Sequence, residues 1–324
     1  MASSFYNQIS ANRRNSFLLA IVVVALLALL GFTIGYALTG DPAGAIATTL
    51  VAIVVGSLMS AGSYFAGDKL VLAASQAKPV DETTRPQLMN VVREMAIAAN
   101  VPLPKVYLID DTAPNAFATG RDPKHASIAV TTGLLEKLDR EELQGVIGHE
   151  LSHVRNLDIR FTLLVGVLVG SIALLADFFL RFTFWGGRGR SSSRDRGGGG
   201  LQVIMFVLAI ILAILAPIAA RLVQLAVSRQ REYLADASSI ELTRNPYGLE
   251  RALAKISGDT EVLEAANRAT QHLYFTNPIK KIEQRSSGLF STHPPILERI
   301  NRLRQLTGEP PIGSADAAAL AGLD

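Results

Sequence analysis

His149-Glu150-Leu151-Ser152-His153 is the stretch that decides how this chain folds and what chemistry it can do. Its two histidines stand four apart. On a helix they lie one above the other on a single face and can hold one metal ion through imidazole nitrogens. The glutamate beside the first histidine is placed to take a proton from a water that the metal activates. The alternative is a helix whose two histidines are merely polar residues on one face. A third ligand, partners that orient the ligands, and a place for a substrate would decide between the two.

The chain has 324 residues, enough for one or two domains with real cores. It has no cysteine, so neither a disulfide framework nor a thiolate metal site is possible, and any zinc must be held by His, Asp or Glu. That fits a reducing compartment. A net charge of +3 is too slight to argue for nucleic acid as a partner. The apolar share of 49%, unevenly distributed, points instead to a membrane protein in contact with a lipid bilayer.

Residues 1–16 are polar, with Arg13 and Arg14 just before an apolar run at 17–38. A turn at Thr39-Gly40-Asp41-Pro42 leads into a second uncharged run at 43–66. Residues 17–66 therefore read as a transmembrane hairpin. A secretory signal peptide is the rival, but the run is too long for one and a second follows at once. Lys69 and Lys78 follow the hairpin, and its short turn carries no positive charge. The positive-inside rule then puts residues 1–16 and those after 67 in the cytoplasm. A second hydrophobic hairpin is expected at 161–220, from apolar runs at 161–180 (interrupted by Asp177) and 201–220. The loop 181–200 between them is rich in Gly, Ser and Arg, and five arginines against one aspartate conflict with the positive-inside rule. The first hairpin dominates the orientation, or the second never crosses, or the topology is inverted. Four spans are adopted, because two apolar twenty-residue runs are costly to leave in water.

Residues 67–160 read as soluble. Helical spacing at Leu88, Val91, Val92, Met95 and Ala96 predicts a helix within 81–100, ended by Pro102 and Pro104. β-like runs at 106–109, 115–118 and 127–130 predict a small sheet, with a turn at Gly120, Asp122 and Pro123. A short helix between Gly133 and Asp139 precedes the motif helix at 140–156. Residues 221–242 continue the fourth apolar helix until Pro246, further helices follow to 307, and 308–324 reads as a flexible tail of Pro, Gly and Ala.

Glu232 is the candidate third ligand. His153 lies about eight residues before the third apolar run and Glu232 about a dozen after the fourth, so an antiparallel hairpin brings the two level. Three protein ligands and one open position suit a catalytic zinc, one per chain. Asp236, one turn beyond Glu232, can accept a hydrogen bond from the other nitrogen of a ligand histidine. A solvated charged face is the alternative for both acids. His293, before two prolines, and Arg299, six residues on, are candidate donors to the oxyanion of a tetrahedral intermediate. A helix-entry turn is the alternative for His293. Asn156 and Asp158 can orient ligands, or cap a helix, or face water. Asn115-Ala116-Phe117-Ala118 is the candidate edge strand to which an extended peptide could add, or a purely structural edge.

His-Glu-Leu-Ser-His, Arg-Glu-Tyr-Leu-Ala-Asp, Pro-Asn-Ala-Phe-Ala-Thr-Gly and Ser-Thr-His-Pro-Pro, interleaved with two apolar helix pairs, resemble the bacterial HtpX membrane metalloproteases. These are relatives of the CAAX prenyl proteases and the mitochondrial OMA-type proteases. The resemblance covers nearly the whole chain. It implies a mainly α membrane protein of about four transmembrane helices with a zincin-like α+β catalytic domain facing the cytoplasm from the bacterial inner membrane. It implies zinc-dependent endoproteolysis of misfolded or damaged membrane proteins in envelope quality control. It matches His149 and His153 to the zinc histidines, Glu150 to the general base, Glu232 to the third ligand and Asp236 to its partner. His293 and Arg299 match positions that stabilise the transition state. A transporter with a regulatory metal site is the alternative from another class, but the four apolar runs hold only Asp177 as an ionisable group. An inactive metal-binding scaffold is disfavoured by an intact Glu150.

Overall fold

The structure is a computed structural model that describes residues 5–185, 200–259 and 294–320. Residues 186–199 of the expected loop, the expected helix at 260–273, and His293 lie outside the described residues. In chain order the elements begin with helices α1 (Phe5–Thr39) and α2 (Pro42–Ala74), strand β1 (Lys78–Pro79) and helix α3 (Pro86–Ala99). Strands β2 (Lys105–Ile109), β3 (Ala116–Gly120) and β4 (Ala126–Thr131) follow, then α4 (Thr132–Lys137) and α5 (Arg140–Arg155). The long helices α6 (Asp158–Trp185) and α7 (Gly200–Thr243) come next, then α8 (Pro246–Gly258), α9 (Ile296–Thr307) and α10 (Ser314–Leu320).

The chain divides into two compact units, one of residues 13–64 and 163–224, the other of residues 1–12, 65–162 and 225–324. The first holds the apolar runs. Among the described residues four helices are long and apolar enough to cross a bilayer, over Ile21–Thr39, Pro42–Gly62, Val165–Phe184 and Gly200–Leu222. Leu50, Val51, Val54 and Leu58 on α2 and Ile204, Val207 and Leu215 on α7 point outward, as lipid-facing side chains should. Small residues let α1 and α2 approach closely: a β-carbon on Gly35 would stand 2.7 Å from the Ala45 Cα. Thr33, buried on α1, returns its hydroxyl to the carbonyls of Leu29 and Leu30, so its polar group is not stranded.

The second unit contains a four-stranded sheet of order β1-β2-β4-β3. β2 and β4 run parallel in the register Val106↔Ile128, while β1 and β3 pair antiparallel at the two edges. Alternation along β3 sends Ala116 and Ala118 to one face and Phe117 to the other. Ala116 and Ala118 join the main core with Val92, Ile147, Leu151, Leu253 and Ile300. Phe117 packs with Leu72, Ile109 and Ala129. The main core is formed by α3, α5, α8 and α9 against that first face of the sheet.

Local chemistry fixes α5. Asp139 accepts a hydrogen bond from the Glu142 amide at 2.9 Å, and Glu142 accepts one from the Asp139 amide at 2.8 Å, a reciprocal N-terminal cap. At its other end Leu157 adopts φ +61°, which turns the chain at once into α6. α3 starts at Pro86, not at 81, because Asp81 uses its carboxylate to cap the turn through the Thr83 and Thr84 amides. Within the expected flexible tail, residues 314–320 form a helix. Its composition is rich in alanine, and Ala317 buries against the core.

Candidate metal centre

Helix α5 presents His149 and His153 with their rings edge to face, 4.8 Å between centroids. Their Nε2 atoms are 3.1 Å apart. Helix α7 brings Glu232 to both: Oε2 lies 3.6 Å from His149 Nε2, and Oε1 lies 3.5 Å from His153 Nε2. One ligand atom from each of the three residues falls within a 4.8 Å cluster. This triangle can be compared with a metal. A tetrahedral zinc with bonds of about 2.0–2.1 Å has ligand–ligand edges of about 3.3–3.4 Å. The observed separations bracket that value, so the donors present fit zinc in kind and in spacing.

The other nitrogen of each ring supports the same conclusion. His149 Nδ1 donates to Asp236 Oδ1 at 2.9 Å, and His153 Nδ1 donates to Asp158 Oδ2 at 3.1 Å. A carboxylate at Nδ1 fixes the tautomer and leaves the Nε2 lone pair free to point inward. With His153 protonated on both nitrogens, its Nε2–H donates to the His149 Nε2 lone pair 3.1 Å away, and a bound cation would take the place of that proton.

Arg299, expected from the sequence as an oxyanion donor, is fully buried and grips Asp236, with Nε to Oδ2 at 2.9 Å and Nη2 to Oδ1 at 2.7 Å. Its Nη1 lies 3.7 Å from Glu232 Oε2. The structure therefore places it behind His149, with two of its donors on Asp236. Asp158 is held in turn by Arg231, whose Nη1 lies 3.4 Å from Asp158 Oδ1 and donates to the Asp158 carbonyl at 3.3 Å. Sequence reasoning left Asp158 undecided and gave Arg231 no role. His153 and Asp158 are five apart, which is not a helical spacing, and only the positive φ at Leu157 brings them together.

These neighbours set the electrostatics. Burial pushes His149 down to about 4, with Arg299 and His153 adding to the effect and Asp236 opposing it. Burial also disfavours charge on His153, but Asp158 and Glu232 outweigh it and raise this ring to about 10. Burial pushes Glu150 up to about 7, with Glu232 adding to the rise and His153 and the Ala118 amide pulling against it. Burial works against the Asp236 anion too, yet Arg299 and His149 hold its carboxyl below the usual range. A carboxyl near neutrality beside a metal site is suited to taking up and giving back a proton.

The Ala118 amide donates to Glu150, which ties β3 to the motif helix. The Thr131 amide donates to the Asn115 carbonyl at 3.0 Å, and the register is Ala116↔Val130 and Ala118↔Ile128. In an antiparallel ladder the backbone groups then alternate. Asn115 and Phe117 turn theirs toward β4, while Ala116 and Ala118 turn theirs to the outer edge. Of the four residues expected to receive a peptide, Ala116 and Ala118 turn their backbone groups that way, but both are buried and their N–H groups are engaged, that of Ala116 by the Asn115 side chain and that of Ala118 by Glu150. Asn115 is buried and accepts from the Ala116 amide.

The sequence model of peptidase family M48 matches residues 82–307. A "Protease HtpX homolog" of Streptococcus gordonii is 43% identical over 301 residues, covering 93% of this chain and 99% of that protein. A protein of the same name from Ligilactobacillus salivarius is 44% identical over 301 residues, with the same coverage of each chain. Among solved structures, the crystal structure of S. mikatae Ste24p superposes with a TM-score of 0.51 at 18% identity, over 92% of this chain and 67% of that one. That likeness concerns the fold.

Proposed function

The chain belongs to peptidase family M48 and carries membrane-spanning helices, and from that premise we propose that it is a zinc-dependent endopeptidase that cleaves membrane proteins. The observation that carries the proposal is the triangle of His149 Nε2, His153 Nε2 and Glu232 carboxylate oxygens, with Glu150 on the next position of the same helix. His149, His153 and Glu232 would hold the ion. When bound, zinc supplies Lewis acidity to the scissile carbonyl and to the attacking water. Glu150 takes the proton from that water on its carboxylate and passes it to the departing amine. Its pKa near 7 suits both halves of the transfer. Asp236 and Asp158 keep the imidazoles in the tautomer that binds metal, and Arg299 positions Asp236.

The outer edge of β3 leaves the carbonyls of Ala116 and Ala118 for an extended polypeptide, their N–H groups being engaged by Asn115 and Glu150. Binding through the backbone reads little sequence, which suits a protease acting on damaged or misfolded chains. We assign the protein to the bacterial inner (plasma) membrane on its four apolar helices and its bacterial relatives, and the site to the cytoplasmic side on the distribution of Arg13, Arg14, Lys69 and Lys78 around the first hairpin.

The test is the detergent-purified full chain with casein as substrate, with and without a chelator. Glu150→Gln should retain one zinc per chain while cleavage falls roughly 10²–10⁴-fold. Cleavage by this variant at the wild-type rate would remove Glu150 as the base. Unchanged zinc content in Glu232→Ala would remove Glu232 from the ligand set.

A further inference from the structure

We infer that Arg231, acting through Asp158, is a positioning residue for the metal-ligating ring of His153; the inference rests on the zinc site proposed above. His153 is the more exposed of the two imidazoles, with its side chain 15% accessible against 0% for His149. It is therefore the ligand that packing constrains less. What holds its far side is one carboxylate, Asp158, whose Oδ2 takes the Nδ1–H.

Asp158 stands at the first position of α6, just past a turn, and a carboxylate there can rotate. Arg231 prevents this. Its Nη1 sits 3.4 Å from Oδ1, the oxygen that His153 does not use, and reaches the Asp158 carbonyl as well. The guanidinium lies 3.7 Å over the Phe161 ring centroid, so its own plane is fixed by the aromatic face. Both Arg231 and Asp158 are buried. The guanidinium and the imidazole N–H thus meet different oxygens of the one carboxylate and fix its plane between them.

The position of Arg231 in the chain adds a second role. It immediately precedes Glu232, the ligand that α7 contributes. One side chain thus fixes α7 to the α5–α6 turn, one residue from one metal ligand and one carboxylate from another. The opposite side of the site repeats the order: His149 Nδ1, then Asp236, then Arg299. Each imidazole has its own carboxylate, and each carboxylate has its own arginine. Helix α7 supplies Arg231, Glu232 and Asp236 within two turns, serving both rings and the open face between them.

The experiment is a double-mutant cycle on zinc affinity, read by chelator competition on the full chain in detergent. The proteins are wild type, Asp158→Asn, Arg231→Met and the double variant. If Arg231 acts through Asp158, Arg231→Met weakens zinc binding about tenfold in the wild-type background and less than about twofold beside Asp158→Asn. The cobalt(II)-loaded Arg231→Met protein should show altered visible absorption bands, a change in ligand geometry that loss of stability alone would not produce. Arg231→Lys, which keeps the charge, should recover part of the affinity, and it replaces Met in the cycle if the Met variant does not fold. Equal losses from the Arg231 substitution in both backgrounds, or no loss in a folded variant, would overturn the inference. A wild-type chain that binds zinc and cleaves casein but gives additive effects leaves the proteolytic function standing. A wild-type chain that binds no zinc overturns both.

Discussion

Gly145 lies one turn before His149, on the same face of α5, where that helix meets α8. A β-carbon added there would stand 2.7 Å from the Leu249 nitrogen and 2.8 Å from the Leu249 Cα. Both are backbone atoms and cannot swing aside. Ordinary carbon contacts are about 3.5–4.0 Å, so Gly145→Ala demands a local separation of about 1 Å. Two effects compete. Alanine is a better helix former by about 1 kcal/mol. Overpacking a closed interface costs about 1–3 kcal/mol, and an unyielding backbone neighbour places this site at the upper end. The net expectation is a loss of about 1–2 kcal/mol.

The displacement also reaches the metal site. Ser239 donates to the Gly145 carbonyl at 2.6 Å and ties α5 to α7, the helix of Glu232. A shift near 1 Å exceeds the roughly 0.2 Å that zinc–ligand distances tolerate, so zinc affinity should fall roughly tenfold or more. Equilibrium unfolding in detergent, with and without zinc, and chelator competition measure the two effects. Gly170→Ala is the control, since nothing lies within 4 Å of its added carbon. A Gly145→Ala protein as stable as wild type, with unchanged zinc affinity, would refute the close approach of α5 and α8 as the element that sets the site.

Three other outcomes follow from the site. Asp236→Asn removes the charge that faces His149 Nδ1 and Arg299, so zinc affinity should fall roughly 10–100-fold in a chelator competition; an unchanged affinity would separate Asp236 from the ligand. Zinc binding should release protons. The ring of His153, raised to about 10, carries a second proton at neutral pH, and Nε2 must lose it to bind metal. Affinity should therefore rise about tenfold per pH unit from about pH 7 toward about 10, and calorimetry in buffers of different ionisation enthalpy should count at least one proton released near pH 8; none would contradict the charged ring. Ala118→Pro deletes an outward N–H while leaving the pairing with β4 intact. The Glu150 carboxylate loses a hydrogen bond that lowers its pKa, so casein cleavage should fall about tenfold or more at full zinc occupancy. Wild-type cleavage would show that the Ala118 amide does not tune Glu150.

The membrane helices were legible because their signal is local and long. Runs of about twenty apolar residues need no tertiary knowledge, and α1, α2, α6 and α7 contain the four that the sequence marks. The sheet was legible in its three longer strands. β1 was not, since Lys78–Pro79 is two exposed residues with no alternation to detect. The tail reads as mobile because its alanines stand among proline and glycine, yet alanine favours helix once one of its methyls finds a core. At the site, spacing was enough for the histidines, whose relation is one helical turn. Glu232 required a further step, the antiparallel return of α7, which is a statement about topology.

What spacing could not give was the division of labour among the charged groups. Arg299 is 63 residues from Asp236 and 150 from His149 in the chain, and as a sequence feature it is simply a cation near the C-terminal end of the sequence. A cation there is equally suited to an oxyanion or to a carboxylate, and the carboxylate that claims it can be named only from the packing of α9 in the core. The same holds for Asp158, whose access to His153 depends on one backbone angle at Leu157. The two histidines proposed as ligands obey a helical period and can be read from it. The groups that orient them do not, because each bridges two elements and its partner is set by where those elements meet. Substitutions at Asp236, which touches its imidazole directly, and at Arg231 and Arg299, which reach theirs by way of a carboxylate, should therefore act on metal affinity before they act on the fold as a whole.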